Sequence, residues 1–201
     1  MATVPASIKH LNKDRILRTV IRRAGPIRLK KGDKVYLRLC GSIISQQLST
    51  KAADTIYTRF LAIYDGAEPT ADQILATPEE ALRKAGLSGA KASYLHNVAA
   101  FEKSHGMDEN KLSKMTNEEV IDYLTSIKGV GKWTVEMLLM FVLARPDVFP
   151  IDDVGIQNAL VDLYGLNRKH KTFRKKAYAI AEQWAPYRTY ACLYLWRSLN
   201  F

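Results

Sequence analysis

The chain has 201 residues, 47% of them hydrophobic, so it can bury a sizeable core in one domain or two small interlocked lobes, and a disordered chain is excluded. Its longest strongly apolar stretch, Met137 to Ala144, is far shorter than the roughly 18 residues of a membrane-spanning helix, and the first ten residues hold no apolar signal segment. We therefore expect an intracellular protein, in the cytoplasm, the nucleoid or a nucleus, with no membrane partner.

The whole chain has a formal net charge of +10, and its positive charge is concentrated in two segments. Residues 1–38 contain eleven basic side chains and two acidic ones, and the segment 168–176 contains six basic side chains and no acidic one. Such asymmetry suits binding to a phosphate backbone, although basic runs are also common on solvated helix faces. Charge alone therefore leaves nucleic-acid binding open.

Apolar side chains recur at helical spacing along most of the chain, and no segment alternates for long enough to build a sheet. The pattern predicts an all-α fold. A threonine followed three residues later by Gln or Glu marks three helix starts, at Thr70–Gln73, Thr77–Glu80 and Thr116–Glu119. Further helices are predicted at about 7–24, 35–48, 50–64, 92–99, 132–144, 154–164, 171–184 and 188–198.

The two cysteines, Cys40 and Cys192, both lie in apolar helical patterns and are expected to be buried thiols that form no disulfide. Two cysteines are too few for a four-cysteine iron–sulfur cluster or zinc site. We therefore expect no protein-bound metal centre.

A tight turn, Lys128-Gly129-Val130-Gly131, joins two helical patterns. Two glycines permit unusual backbone dihedrals, so N–H groups at the start of the next helix can point at a phosphate, assisted by the helix dipole. Lys128 and Lys132 add positive charge. The alternative is an ordinary helical hairpin capped by glycine.

Two adjacent carboxylates, Asp152 and Asp153, follow an extended Phe149-Pro150-Ile151 segment and precede a helix. Taken by itself, this position favours a helix N-cap, because an aspartate accepts hydrogen bonds from first-turn N–H groups.

Four motifs, in this order, resemble those of the helix-hairpin-helix DNA glycosylases, in particular the DNA-3-methyladenine glycosylase II branch. They lie at Ile43 to Ala53, Leu124 to Thr134, Arg145 to Ile156 and Ala181 to Trp196. The resemblance implies a two-lobed fold with the active site in the cleft between the lobes. It makes residues 1–201 a single glycosylase unit, with a central lobe at 35–145 and a second lobe formed by 1–34 and 146–201.

The resemblance gives Asp153 the catalytic position and leaves Asp152 as the helix cap or a helper. Loss of a base leaves positive charge on the sugar, which a carboxylate stabilises while it orients or deprotonates water. Alkylated purines already carry positive charge, so no second catalytic acid is required.

The resemblance also places Trp133 and Trp196 in the base pocket, where their rings would stack on a flipped cationic base. A core position is the alternative for each tryptophan. Met137 stands where the family branch has an aromatic residue, which predicts a less aromatic pocket. Trp133 occupies the position of the lysine that forms a Schiff base in lyase-active relatives, and Lys132 lies about 100° away around the helix. We therefore expect a monofunctional enzyme.

Gln47 matches the residue that fills the gap left by an extruded base, with Leu48 beside it. The alternative is a helix end that exposes Gln47 and buries Leu48. The residues expected to contact DNA are Gln47, Leu48, Ser49, Lys128, Gly129, Val130, Gly131 and Lys132.

These features predict a glycosylase that removes bases of the 3-methyladenine and 7-methylguanine type from double-stranded DNA. The alternatives are a glycosylase for uracil, mismatched thymine or oxidised purines, and a helix-hairpin-helix DNA-binding module without catalysis. No cofactor is expected to be required, although the hairpin could hold a monovalent cation. The default oligomeric state is a monomer.

Overall fold

The computed structural model describes residues 5–201, and within that range all regular secondary structure is helical, with no β-strand. The predicted all-α fold is therefore confirmed. The described helices are α1 Ala6–Leu11, α2 Arg15–Ala24, α3 Val35–Ser45, α4 Thr50–Ala62, α5 Ala71–Ala76, α6 Glu79–Lys84, α7 Gly89–His105, α8 Glu109–Ser113, α9 Asn117–Thr125, α10 Lys132–Phe141, α11 Val154–Tyr164, α12 Phe173–Glu182 and α13 Arg188–Ser198.

The chain forms two compact units. One is continuous, Gly32–Leu138, and the other combines the chain up to Lys31 with Leu139–Phe201. The division falls within α10. The predicted lobes, 35–145 and 1–34 with 146–201, rest on motif order and stay a prediction.

Each unit has its own buried apolar residues, drawn from several helices. Both cysteines are buried and no disulfide joins them, as expected. In Gly32–Leu138 the buried side chains include Leu39, Ile43, Phe60, Ile74, Leu82, Leu95, Leu112 and Leu124. In the other unit they include Leu11, Leu17, Ile151, Ile156, Leu160, Trp184, Tyr194 and Leu195.

The predicted helix 7–24 is two helices in the structure, α1 and α2, because Asp14 interrupts it. Oδ1 of Asp14 accepts hydrogen bonds from the backbone of Ile16 and Leu17, which caps α2. Oδ2 accepts one from the Tyr164 hydroxyl at 2.7 Å and one from the Trp184 indole at 2.9 Å. Partners from distant parts of the chain thus stabilise a cap that periodicity alone did not reveal.

Two of the three predicted capping boxes are present, at Thr70–Gln73 and Thr116–Glu119. The third was wrong: the N-cap of α6 is Pro78, which has no side-chain cap. The hydroxyl of Thr77 instead donates to the carbonyl of Gln73 at the end of α5. The Thr77 hydroxyl, which was expected to cap the start of α6, therefore binds a carbonyl of α5.

Over residues 5–201 no helix is both long and apolar enough to cross a membrane. The same range contains no cluster of three or more His, Cys, Asp or Glu side chains arranged to hold a metal ion.

Candidate active site and DNA-binding hairpin

The predicted hairpin lies between α9 and α10 and is a compact turn. The amide of Val130 donates to the carbonyl of Ile127 at 3.0 Å, and the carbonyl of Gly131 accepts from Val135 at 3.2 Å in the first turn of α10. Gly129 has a φ of +103°, a conformation that side chains rarely adopt. The turn therefore requires glycine at position 129.

Helix α7 supports this hairpin from within the same unit. The carboxamide of Asn97 donates to the carbonyl of Lys128 at 3.1 Å. A Cβ atom at Gly129 would overlap the ring of Tyr94, whereas a Cβ atom at Gly131 would meet open space. The two glycines therefore differ: Gly129 is needed for folding of the turn, and Gly131 leaves an exposed backbone that another molecule can approach closely.

The side chains that open α10 include two exposed residues of the predicted site. Lys132 is exposed, and its Nζ lies 3.8 Å from Oε1 of the buried Glu136. The indole of Trp133 is 44% exposed, so the alternative of a core position does not hold for it. Met137, one helical turn later, is half-buried.

Asp153 is the N-cap of α11, and its Oδ1 accepts two hydrogen bonds. One comes from the amide of Ile156 at 2.9 Å and the other from the indole Nε1 of Trp196 at 2.8 Å. Of the two roles expected for Asp152, helix cap or helper, the cap is therefore wrong, because Asp153 caps α11. A turn in which the amide of Asp153 donates to the carbonyl of Pro150 sets this register, and the exposed Asp152 pairs with Arg174 at 2.6 Å.

Trp196 is half-buried and packs closely against the start of α11. A Cβ atom at Gly155 would lie 2.8 Å from its indole ring, so glycine there allows the ring to approach the helix. The ring centroid of Phe141 lies 5.8 Å from that of Trp196, and Phe141 is 47% exposed. Sequence reasoning missed Phe141; its only signal is its place one turn beyond Met137 on the same helix.

The segment before Asp153 is attached to the start of α13. The Thr189 hydroxyl donates to the carbonyl of Arg145 at 2.6 Å and accepts from the amide of Val148 at 3.0 Å. Arg188 donates two side-chain hydrogen bonds to Asp147, both 2.7 Å long. Burial alone would raise the pKa of Asp147, but these bonds hold it below its ordinary value.

Helix α13 therefore holds Asp153 in two ways. Its first residues anchor the loop that leads to the aspartate, and Trp196 near its end donates to the carboxylate. Sequence reasoning missed Asp147, Arg188 and Thr189. Their partners are about forty residues apart along the chain, so no local pattern could have identified them.

The predicted wedge residues lie in a turn after α3, which ends at Ser45 and not at 48 as expected. The amide of Leu48 donates to the carbonyl of Ser45 at 3.1 Å, and Gln47 has a φ of +58°. Gln47 is exposed, and Leu48 is 37% exposed, so the alternative that buries Leu48 is wrong. Ser49 caps α4 by accepting a hydrogen bond from the amide of Ala52.

Residues 40–186 match the family model described as "HhH-GPD superfamily base excision DNA repair protein". The chain belongs to this superfamily. It is 38% identical over 178 residues to DNA-3-methyladenine glycosylase 1 of Schizosaccharomyces pombe, an alignment that covers 86% of this chain and 76% of the relative. The family that the motifs indicated is therefore confirmed.

Solved structures of this superfamily share the fold. The chain is similar to Schizosaccharomyces pombe 3-methyladenine DNA glycosylase in complex with abasic DNA, with a TM-score of 0.86, 33% identity and 98% coverage of both chains. It is also similar to a DNA-3-methyladenine glycosidase from Bacillus halodurans, with a TM-score of 0.87, 37% identity, and coverage of 98% of this chain and 91% of the other.

Proposed function

We propose that this HhH-GPD protein is a monofunctional DNA glycosylase that excises alkylated bases, of the 3-methyladenine and 7-methylguanine type, from double-stranded DNA. The names of its relatives support excision of alkylated bases as the activity. The observation that carries the proposal is the carboxylate of Asp153, which an indole and a backbone amide hold together in one orientation.

In the proposed mechanism, Asp153 is the catalytic residue. As the bond between base and sugar lengthens, positive charge develops on the sugar, and a fixed carboxylate stabilises it without having to reorganise. The same carboxylate can orient a water molecule or accept its proton. Because an alkylated purine leaves as a neutral base, the reaction needs no protonation by a second side chain.

We assign recognition of the base to aromatic and apolar side chains. Trp133 and Met137 lie on α10, and Trp133 is exposed enough to stack on another ring. The ring of Trp196 lies beside Asp153, and the ring of Phe141 packs near that of Trp196. Stacking on a cationic base contributes about 0.5–2 kcal/mol for each favourable ring, so each ring that stacks on the base favours alkylated over neutral bases.

We assign DNA binding to the hairpin and to the turn after α3. Lys128, Gly129, Val130, Gly131 and Lys132 would contact the phosphate backbone. Gln47, with Leu48 beside it, would occupy the gap left by the extruded base, and Ser49 would contact the DNA next to them. The proposed partner is double-stranded DNA that contains damaged bases, bound by a monomer inside the cell. We propose that no cofactor is needed, and that a monovalent cation can bind at the hairpin.

The test is a panel of duplexes that each carry one defined lesion, incubated with the protein and then with alkali to break abasic sites. We expect cleavage after alkali for 3-methyladenine and 7-methylguanine and none for uracil, mismatched thymine or 8-oxoguanine. If the protein excised only uracil, mismatched thymine or 8-oxoguanine, that base would be its substrate and the proposed substrate class would be wrong. Binding without excision of any lesion would indicate a DNA-binding module and overturn the proposal.

A further inference from the structure

Lys91 occupies a position in α7 that local chemistry disfavours. It is the third residue of the helix, and its amide donates to the hydroxyl of the N-cap Ser88. A helix N-terminus carries partial positive charge, so a cation there is destabilising and an acidic residue would be favoured. The reason for a lysine must therefore lie in its tertiary contacts.

The ammonium group of Lys91 reaches the end of α3. It donates hydrogen bonds to the carbonyl of Ile44 at 2.9 Å and to that of Gln46 at 2.7 Å. The last carbonyls of a helix have no hydrogen-bond partner within the helix and carry partial negative charge. A lysine ammonium group both donates hydrogen bonds to them and compensates that charge. Partial burial lowers the pKa of Lys91, as expected for a group drawn away from water.

The carbonyl of Ile44 immediately precedes the turn that presents Gln47 and Leu48, and the carbonyl of Gln46 lies within that turn. With φ of −50° and ψ of 129° at Gln46, φ of +58° at Gln47 and a hydrogen bond from Leu48 to Ser45, the turn has the geometry of type II. Its third position favours glycine or asparagine, and glutamine there is strained. Surrounding structure must hold such a strained residue in place.

We propose that Lys91 is a positioning residue for base extrusion: by binding the carbonyls of Ile44 and Gln46, it holds the turn at Ser45–Leu48 rigid, so that Gln47 and Leu48 enter the duplex without first having to be ordered. This rests on the proposed function, because Gln47 and Leu48 act as a wedge only if the protein extrudes a base. A pre-ordered wedge avoids the entropic cost of fixing loop residues at the moment of binding.

Three variants separate this role from a general effect of charge or stability. Lys91→Met keeps the length of the side chain and removes the donors, and Lys91→Arg keeps a cation that can donate to two carbonyls. Lys84→Met is the matched control, since Lys84 is exposed in α6 and pairs with Glu80. All three are compared with the parent protein by thermal unfolding before use.

The first readout is the single-turnover rate of 3-methyladenine release from two duplexes, one with thymine opposite the lesion and one with an abasic analogue opposite it. We expect Lys91→Met, which loses both charge-assisted hydrogen bonds, to slow release from the paired lesion by about tenfold or more, because the loss of even one such bond has an effect of this size. Release from the unpaired lesion should fall less than threefold, because less work is needed to extrude that base. Lys91→Arg should restore most of the rate, and Lys84→Met should match the parent protein.

The second readout does not depend on catalysis. A duplex with 2-aminopurine next to an abasic analogue fluoresces more when a wedge unstacks the fluorescent base, and we expect a smaller increase with Lys91→Met at saturating protein. Equal slowing on both duplexes together with an unchanged fluorescence increase would overturn the proposal. If instead the parent protein releases no base at all but unstacks 2-aminopurine, and Lys91→Met gives the smaller fluorescence increase, the proposed function fails while the role of Lys91 in ordering the turn is retained.

Discussion

The indole N–H of Trp196 donates a 2.8 Å hydrogen bond to Oδ1 of Asp153, the same oxygen that caps α11 through the amide of Ile156. A residue expected only to stack on a base thus also holds the carboxylate. Gly155 allows the indole to lie against α11. The cap of α11, the packing of Trp196 and the proposed catalysis therefore all depend on the contact between this indole and the Asp153 carboxylate.

Replacement of Asp153 by asparagine should abolish excision and spare the fold. The carboxamide oxygen can still accept from Ile156 and Trp196, so the cap is kept, while the charge that stabilises the sugar cation is lost. We expect a loss of about 100-fold or more in the single-turnover rate, with little change in DNA affinity or Tm. Asp152→Asn is the control, because Asp152 is exposed and pairs with Arg174; if both variants excised at the parent rate, Asp153 would not be catalytic.

Replacement of Trp196 by phenylalanine removes the indole N–H and keeps an aromatic ring. We expect the rate of the chemical step to fall by roughly tenfold, the effect of one hydrogen bond to a charged group, with DNA affinity nearly unchanged. Single-turnover rates at saturating protein measure the first quantity and gel shifts the second. A variant with the parent rate but weaker binding would show that the indole serves only to stack on the base.

The two hairpin glycines should respond differently to alanine. Gly129→Ala adds a Cβ atom that overlaps Tyr94 and forces a φ of +103° on alanine, so we expect a loss of stability of roughly 1–3 kcal/mol. Gly131→Ala meets open space and should leave the free energy of unfolding unchanged while it weakens binding to all DNA sequences alike. Unaltered DNA binding by a folded Gly131→Ala protein would exclude close backbone contact at that residue.

Replacement of Lys132 by alanine should change how DNA binding depends on salt. If the exposed ammonium group neutralises one phosphate, its loss reduces the magnitude of the slope of log K against log salt by about one unit. Binding titrations at several salt concentrations measure the slope. Lys84→Ala controls for the loss of one surface charge, and an unchanged slope for Lys132→Ala would show that Lys132 contacts only water and Glu136.

The product should be an intact abasic strand, because tryptophan at position 133 provides no amine to attack the sugar. We expect strand breaks only after alkali or heat, and no covalent adduct when borohydride is present during the reaction. A trapped adduct would mean that a lysine, Lys132 being nearest in sequence, reaches the sugar, and a Lys132→Ala variant would then identify it.

Several features could be predicted from sequence because their signals are local. Helices α11 and α13 begin and end where predicted, at 154–164 and 188–198. Asp153 and Gly165 cap α11, and the helix breaker Pro186 lies just before α13. The hairpin glycines and the order of the motifs were equally visible, and these identified the family. Spacing and residue type were sufficient for such features, because each depends on neighbours within a few positions.

Other features required the tertiary structure, because their partners are distant in sequence. Nothing near Asp153 indicates that Trp196 will bind its carboxylate, and nothing near Ile44 indicates that Lys91 will bind its carbonyl from 47 positions away. A lysine in the first turn of α7 even contradicts the local preference for acidic residues there. Sequence alone therefore determined the all-α class, the bounds of some helices and the family. Only packing decided which side chains hold the carboxylate of Asp153 and the turn at Gln47 and Leu48, since a hydrogen bond between distant residues forms only after folding has brought their atoms within about 3 Å.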